Sequence, residues 1–129
     1  MVSLPDTRAE LGRRGEALAA RHLEARGLEV VAANYRTRHG ELDLVVRDER
    51  HLVFCEVKTR VLAGDPGPFG PLVAIGPGKR RRVRAMAREW LAAGVAAGAG
   101  AQEIRFDAIG ITFDRRGALV ALEHLEGAF

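Results

Sequence analysis

The strongest constraint in this chain is a pair of apolar runs that each carry acid at their centre. They are Gly40-Glu41-Leu42-Asp43-Leu44-Val45-Val46 and Phe54-Cys55-Glu56-Val57-Lys58-Thr59-Arg60. Both read as buried strands. Asp is disfavoured in strands, and a buried carboxylate is costly unless it is paired or holds a metal. A fold that buries these runs must therefore bring a partner to Asp43 and Glu56.

The rest of the chain supplies the scaffold. Residues 6 to 26 read as a helix, with Asp6 as N-cap and Gly27 as the C-terminal stop. Leu11, Gly15, Leu18, Ala19 and His22 fall on one face at helical spacing, with Glu16 along its edge. Residues 28 to 36, 41 to 47 and 51 to 60 read as three strands of an antiparallel meander. Residues 61 to 78, rich in Gly and Pro, read as a long loop of the kind that is functional or disordered. Residues 79 to 97 read as a second helix with Val83, Ala87, Trp90, Leu91 and Gly94 inward. Residues 103 to 114 and 118 to 125 complete the order α-β-β-β-α-β-β, a mixed α+β or α/β sheet with helices on its faces.

Composition narrows the function classes. A chain of 129 residues with 47% hydrophobic content fits a single soluble domain spanning 1–129. No stretch approaches the roughly 20 apolar residues of a membrane span. Residues Met1 to Asp6 lack an apolar secretion core, so the expected compartment is the cytoplasm. The single cysteine, Cys55, excludes an internal disulfide and a thiolate zinc site, and reads as a small buried hydrophobe. Net charge is only +3, with lysine confined to positions 58 and 79. The abundant arginine suits bidentate phosphate contacts. It equally fits a GC-rich genome or the Arg-heavy surface of a heat-stable protein.

The two acidic runs carry the chemistry. Side chains at i and i+2 share a strand face, so Glu41 and Asp43 point together, as do Glu56 and Lys58. A hairpin through the 47–51 turn brings Asp43 close to Glu56. An Asp followed after twelve residues by Glu-x-Lys is the pattern of metal-dependent nucleases. Hydrolysing a phosphodiester requires a hard cation, an activated water and in-line attack; oxygen ligands suit Mg²⁺ or Mn²⁺. Asp43, Glu56 and the backbone carbonyl of Val57 are the expected metal ligands. Lys58 is placed to orient the water or contact the phosphate. The plain alternative is a cross-strand ion pair on a solvated face, worth little.

These motifs resemble the PD-(D/E)xK nuclease superfamily, and more closely the YraN-type family of bacterial endonuclease-like proteins. The resemblance rests on Gly15-Glu16-x-x-Ala19, Asn34-Tyr35-Arg36, Gly40-Glu41-Leu42-Asp43-Leu44, Phe54 to Arg60, Lys79-Arg80, Arg105-Phe106-Asp107 and Ala128-Phe129. It implies a restriction-endonuclease-like α-β-β-β-α-β core, a Mg²⁺-dependent endonuclease acting on DNA, and branched or structured DNA as substrate. Through similarity to archaeal Holliday-junction resolvases it also implies a homodimer. Glu16 corresponds to a helix acid that can complete such a site. Leu42 stands where the superfamily motif has proline. The competing reading is a nucleic-acid-binding protein that keeps the fold without turnover.

Basic residues flank this site in sequence. Lys79-Arg80-Arg81-Arg82-Val83-Arg84 opens the second helix, where its charge opposes the helix dipole. Arg81, Arg84 and Arg88 recur on one face, and Arg36, Arg38 and His39 precede the first acidic strand. Lys79, Arg81, Arg84, Arg36, Arg38 and His39 are thus the expected phosphate contacts, with a solvated charged face as the alternative. Glu41 is either a supporting acid or a turn residue. Asp107 reads as half of a structural ion pair.

Overall fold

The computed structural model describes residues 7–62, 76–94 and 103–129. Helix α1 spans Arg8–Ala25. The expected N-cap Asp6 lies outside the described residues; Thr7 caps the helix, its hydroxyl accepting from the Glu10 amide while Glu10 accepts from the Thr7 amide. Gly27, at φ 87°, ends it as expected. The Leu28 amide donates back to the Leu23 carbonyl, the wide bond of a left-handed glycine cap.

The strands are β1 (Glu29–Thr37), β2 (Gly40–Arg47), β3 (His51–Val61), β4 (Glu103–Phe113) and β5 (Leu119–Leu125). They form one mixed sheet in the order β1-β2-β3-β4-β5. The first three make the antiparallel meander. Parallel strands cannot be joined by a tight turn; β4 runs parallel to β3, and helix α2 (Pro77–Ala92) lies between them in sequence. β5 returns antiparallel to β4. Residues 107–113 of β4 are all buried, as befits a strand covered on both faces.

Two apolar clusters show what covers the sheet. Leu11, Ala19 and Leu23 of α1 pack on Leu44, Val46, Val53, Cys55, Ile109, Ile111 and Phe113. Val83, Met86, Ala87 and Trp90 of α2 pack on Leu42, Val45, Leu52 and Phe54 from the other side. The result is three layers with the restriction-endonuclease-like element order. Among the described residues no helix is long and apolar enough to cross a membrane.

The second helix departs from the sequence expectation. It begins two residues earlier than expected, with Gly76 as N-cap and Pro77 in the first turn, and ends at Ala92. Pro77 suits that place because its missing N–H would have no helical acceptor there. Gly94, expected on the inner stripe, lies exposed beyond the helix at φ 68°, and Met86 fills the stripe instead. Of the expected loop 61–78, Val61 ends β3 and Gly76 caps α2, while 63–75 lie outside the described residues, as do 95–97.

Candidate active site

The site forms where β2 and β3 stop pairing. Their ladder runs from Arg47↔Leu52 to Leu44↔Cys55. One step further the Asp43 side chain takes over: its Oδ2 accepts from the Val57 backbone amide at 2.9 Å. A carboxylate thus satisfies a strand donor that a carbonyl would otherwise take.

The strict alternation expected along β2 fails at this point. Leu42 packs in the α2-side cluster, but Leu44, two residues on, packs in the α1-side cluster. A matching distortion lies in β1. Ala33 pairs with Leu44 and Tyr35 with Leu42, which sets Asn34 across from Asp43. Asn34 has φ 51°, a left-handed conformation that Asn tolerates better than other side-chain-bearing residues. The positive φ of Asn34 thus faces the break in alternation, and Asp43 lies just beyond the regular β2–β3 ladder.

Glu56 approaches Asp43 from β3. It is only 5% exposed. Burial first, then a hydrogen bond with Asp43 and the charge of Asp43, push its carboxyl up to about 9, while Lys79 pulls the other way. The two carboxyl groups are therefore in contact, as the hairpin reading expects. Glu56 Oε1 is buried and, among the described residues, has no hydrogen-bond partner; Lys79 Nζ lies 3.6 Å from it, beyond hydrogen-bond range.

Lys58 falls on the Glu56 face of β3. Val57 packs against the α1-side cluster, Thr59 abuts Gly15 of α1, and Glu56 meets Lys79 of α2, so alternation places Lys58 toward α2. Gly15 is close enough to β3 that an added Cβ would collide with Thr59 Oγ1. This close approach carries Glu16 to the α1 side of the site. Burial raises the Glu16 carboxyl, the charge of Asp43 raises it further, a hydrogen bond from Asn34 lowers it, and Glu41 raises it again. Glu16 therefore senses the site, yet among the described residues no three His, Cys, Asp or Glu side chains converge as a ready-made metal cluster.

The expected phosphate contacts divide. Lys79 does not stand on the outer rim with the arginines but reaches inward to Glu56. Arg36 pairs with Glu41 at 3.5 Å on the surface, and His39 Nδ1 lies 3.5 Å from Glu89 Oε2. Glu41 is thus an exposed strand acid with a surface partner. Arg38, Arg81, Arg84 and Arg88 are exposed, but the Arg84 guanidinium sits 5.6 Å over the Phe106 ring, so part of its role is packing. Cys55 is buried, and burial, followed by the charge of Asp107, pushes its thiol well up, consistent with an inert core residue.

A second polar centre lies on the α1 side. Asp107, fully buried, accepts two bonds from Arg105 (2.8 and 3.0 Å), one from the Gly127 amide (3.0 Å) and one from His124 Nε2 (2.8 Å). His124 Nδ1 in turn meets His22 Nε2 at 3.0 Å. The ion-pair reading of Asp107 therefore holds, and His22 and His124, which read in sequence as packing or surface residues, join its network. The Arg105-Phe106-Asp107 spacing carried half of this signal, since i and i+2 share a strand face. The histidines carried none, because α1 and β5 meet only in three dimensions.

Residues 15–111 match the sequence model described as Uncharacterised protein family UPF0102. Among similar proteins, a UPF0102 protein of Streptomyces griseus is 45% identical over 122 residues, covering 95% of this chain and 98% of its own. One from Anaeromyxobacter dehalogenans is 46% identical over 124 residues, covering 96% and 87%. One from Acidothermus cellulolyticus is 40% identical, with both chains covered end to end.

Proposed function

We propose that this chain, which belongs to the UPF0102 or YraN-type family, is a cytoplasmic, metal-dependent endonuclease that hydrolyses phosphodiester bonds in DNA. The observation that carries the reading is the contact of two carboxyl groups, Asp43 and buried Glu56, in a fork between two strands. Placing two acids together costs stability in the metal-free chain. A structural ion pair would close on a hydrogen-bonded cation; here Lys79 stands 3.6 Å from Glu56 Oε1, and that oxygen has no hydrogen-bond partner among the described residues.

The donor set fits a hard divalent ion. Asp43 and Glu56 offer carboxylate oxygens and Val57 a backbone carbonyl, the ligand chemistry of Mg²⁺ or Mn²⁺. Such an ion supplies neutralisation of the charge that builds on the phosphate during attack. The Val57–Asp43 hydrogen bond holds the Asp43 carboxylate in place. Lys58, on the Glu56 face, orients the attacking water or contacts the phosphate. Glu16, held near Asp43 by the Gly15–Thr59 contact, is placed to bind water on the α1 side. Arg81 and Arg38 lie exposed where phosphates of a bound strand can reach them. Branched or otherwise structured DNA as substrate, and action as a homodimer, extend this proposal by family resemblance alone.

The test is single-turnover cleavage of linear, flapped and four-way DNA with Mg²⁺ or Mn²⁺, beside metal-free controls. Asp43→Asn and Glu56→Gln should each lower the rate by several orders of magnitude and weaken metal binding. Lys58→Met should lower the rate and spare metal binding. Wild-type cleavage in all three variants refutes the assignment. Binding of DNA with no cleavage of any substrate makes the protein a non-catalytic nucleic-acid binder.

A further inference from the structure

The first turn of α2 is assembled against its own dipole. Gly76 supplies no side-chain cap, the turn contains no acidic residue, and Lys79, Arg80, Arg81 and Arg82 bring cations to the positive end. The compensating anion comes from β3. Lys79 Nζ stands 3.6 Å from Oε1 of the buried Glu56. A charge-assisted N–H···O bond closes to roughly 2.7–2.9 Å. This ammonium is near enough to offset the charge of the Asp43–Glu56 pair and too far to hydrogen-bond Oε1, which has no hydrogen-bond partner among the described residues.

We propose that Lys79 is the resident counter-ion of the cation site: in the metal-free protein its ammonium, 3.6 Å from Glu56 Oε1, balances the negative charge of the Asp43–Glu56 pair, and a divalent ion binds by displacing it. The inference rests on the metal-site reading above. It assigns Lys79 a position within the site, unlike the exposed arginines that follow it on α2. The displaced ammonium stays on the face of the sheet shared by Glu56 and Lys58, so metal loading turns an internally balanced site into a cationic one. A phosphodiester then meets the only two lysines of the chain.

Titration of Mn²⁺ by isothermal calorimetry into wild type, Lys79→Met and Lys79→Arg tests this directly. Removing the competing charge should tighten Mn²⁺ binding in Lys79→Met by between about fivefold and about a thousandfold, the span of one close unit-charge interaction from bulk water to a protein surface. Lys79→Arg should stay near wild type. A second readout needs no variant. Trace acetylation read by mass spectrometry should label Lys79 several-fold faster with Mn²⁺ than without. That Mn²⁺ effect should vanish in Glu56→Gln. Equal or weaker Mn²⁺ affinity in Lys79→Met, or Lys79 labelling indifferent to Mn²⁺, overturns the counter-ion role while leaving the metal site standing. Absence of Mn²⁺ binding in both wild type and Lys79→Met removes the metal-site reading and this inference together.

Discussion

The Val57 amide donates to Asp43 Oδ2 at 2.9 Å, so a side chain of β2 closes the ladder where its backbone leaves β3. That bond does two things. It satisfies a strand N–H at the end of the β2–β3 pairing, and it holds a carboxylate against Glu56. Removing the Glu56 carboxyl while keeping that bond should therefore raise stability and lower activity, as is common where function requires an electrostatically costly site.

Glu56 provides the pH signature. Its carboxyl is raised to about 9 in the fold, against roughly 4.3 in an unfolded chain. Between these values the folded protein binds a proton that the unfolded chain does not, so stability falls as pH rises through that window. Metal-free wild type should lose stability from about pH 5 to pH 9. Glu56→Gln should remove that slope and be more stable near pH 8, on the order of 5 kcal/mol if the full shift is expressed. Urea unfolding in a chelator at pH 6 and pH 8.5 measures both; equal slopes in the two proteins would show that Glu56 ionises normally.

Gly15 should tolerate no side chain. Gly15→Ala places a methyl against Thr59 Oγ1, which must push α1 from β3 at a cost of about 1–3 kcal/mol. The same shift moves Glu16 away from Asp43. Thr59→Ala should recover most of the lost stability in the double variant, a positive coupling that a double-mutant cycle reads directly. Additive effects would mean that the helix does not bear on this strand position.

Asp107 should anchor the α1–β4–β5 junction. Burial alone would raise its carboxyl, but hydrogen bonds from His124, Arg105 and the Gly127 amide outweigh it and hold the carboxyl below its usual value. The stability it contributes is present above the unfolded carboxylate value and is lost as pH falls through the lower folded one. Asp107→Asn should cost about 2–4 kcal/mol at pH 7, since Arg105 and His124 lose their anion. It should also flatten the acid limb of the stability curve. Metal binding at Asp43 and Glu56 should survive, which separates this network from the proposed site.

Arg81 and Arg84 should differ. Charge reversal of either should weaken DNA affinity and reduce the log–log salt slope by about 0.9 per lost phosphate contact. Arg84→Glu should also destabilise the fold by about 0.5–1 kcal/mol through loss of the stack on Phe106. Unchanged slope and affinity for both would make this face a solvated one.

What the sequence determined by itself follows from periodicity and chemical cost. Among the described residues, apolar spacing located α1 and the five strands to within about two residues and the existence, though not the end, of α2, because burying one face imposes a period on the chain. Acid inside apolar runs singled out Asp43 and Glu56, because a buried carboxylate demands a partner. The Glu56–Lys58 spacing identified a shared strand face in the same way.

The remainder was decided only by tertiary structure, since it depends on contacts between segments distant in sequence. The break in alternation at Asp43 sits across from the left-handed Asn34, a pairing of two irregular positions on neighbouring strands. Asn34 itself was a faint signal, a residue disfavoured in strands yet tolerant of a positive φ. Lys79 reads in sequence as one more cation in a basic run; only the packing of α2 over the end of β3 turns it toward Glu56. His22 and His124 lie 102 positions apart and meet because α1 packs on the face of the sheet that Leu122 and His124 of β5 share. Local pattern reports which groups must be buried, and long-range packing chooses their neighbours.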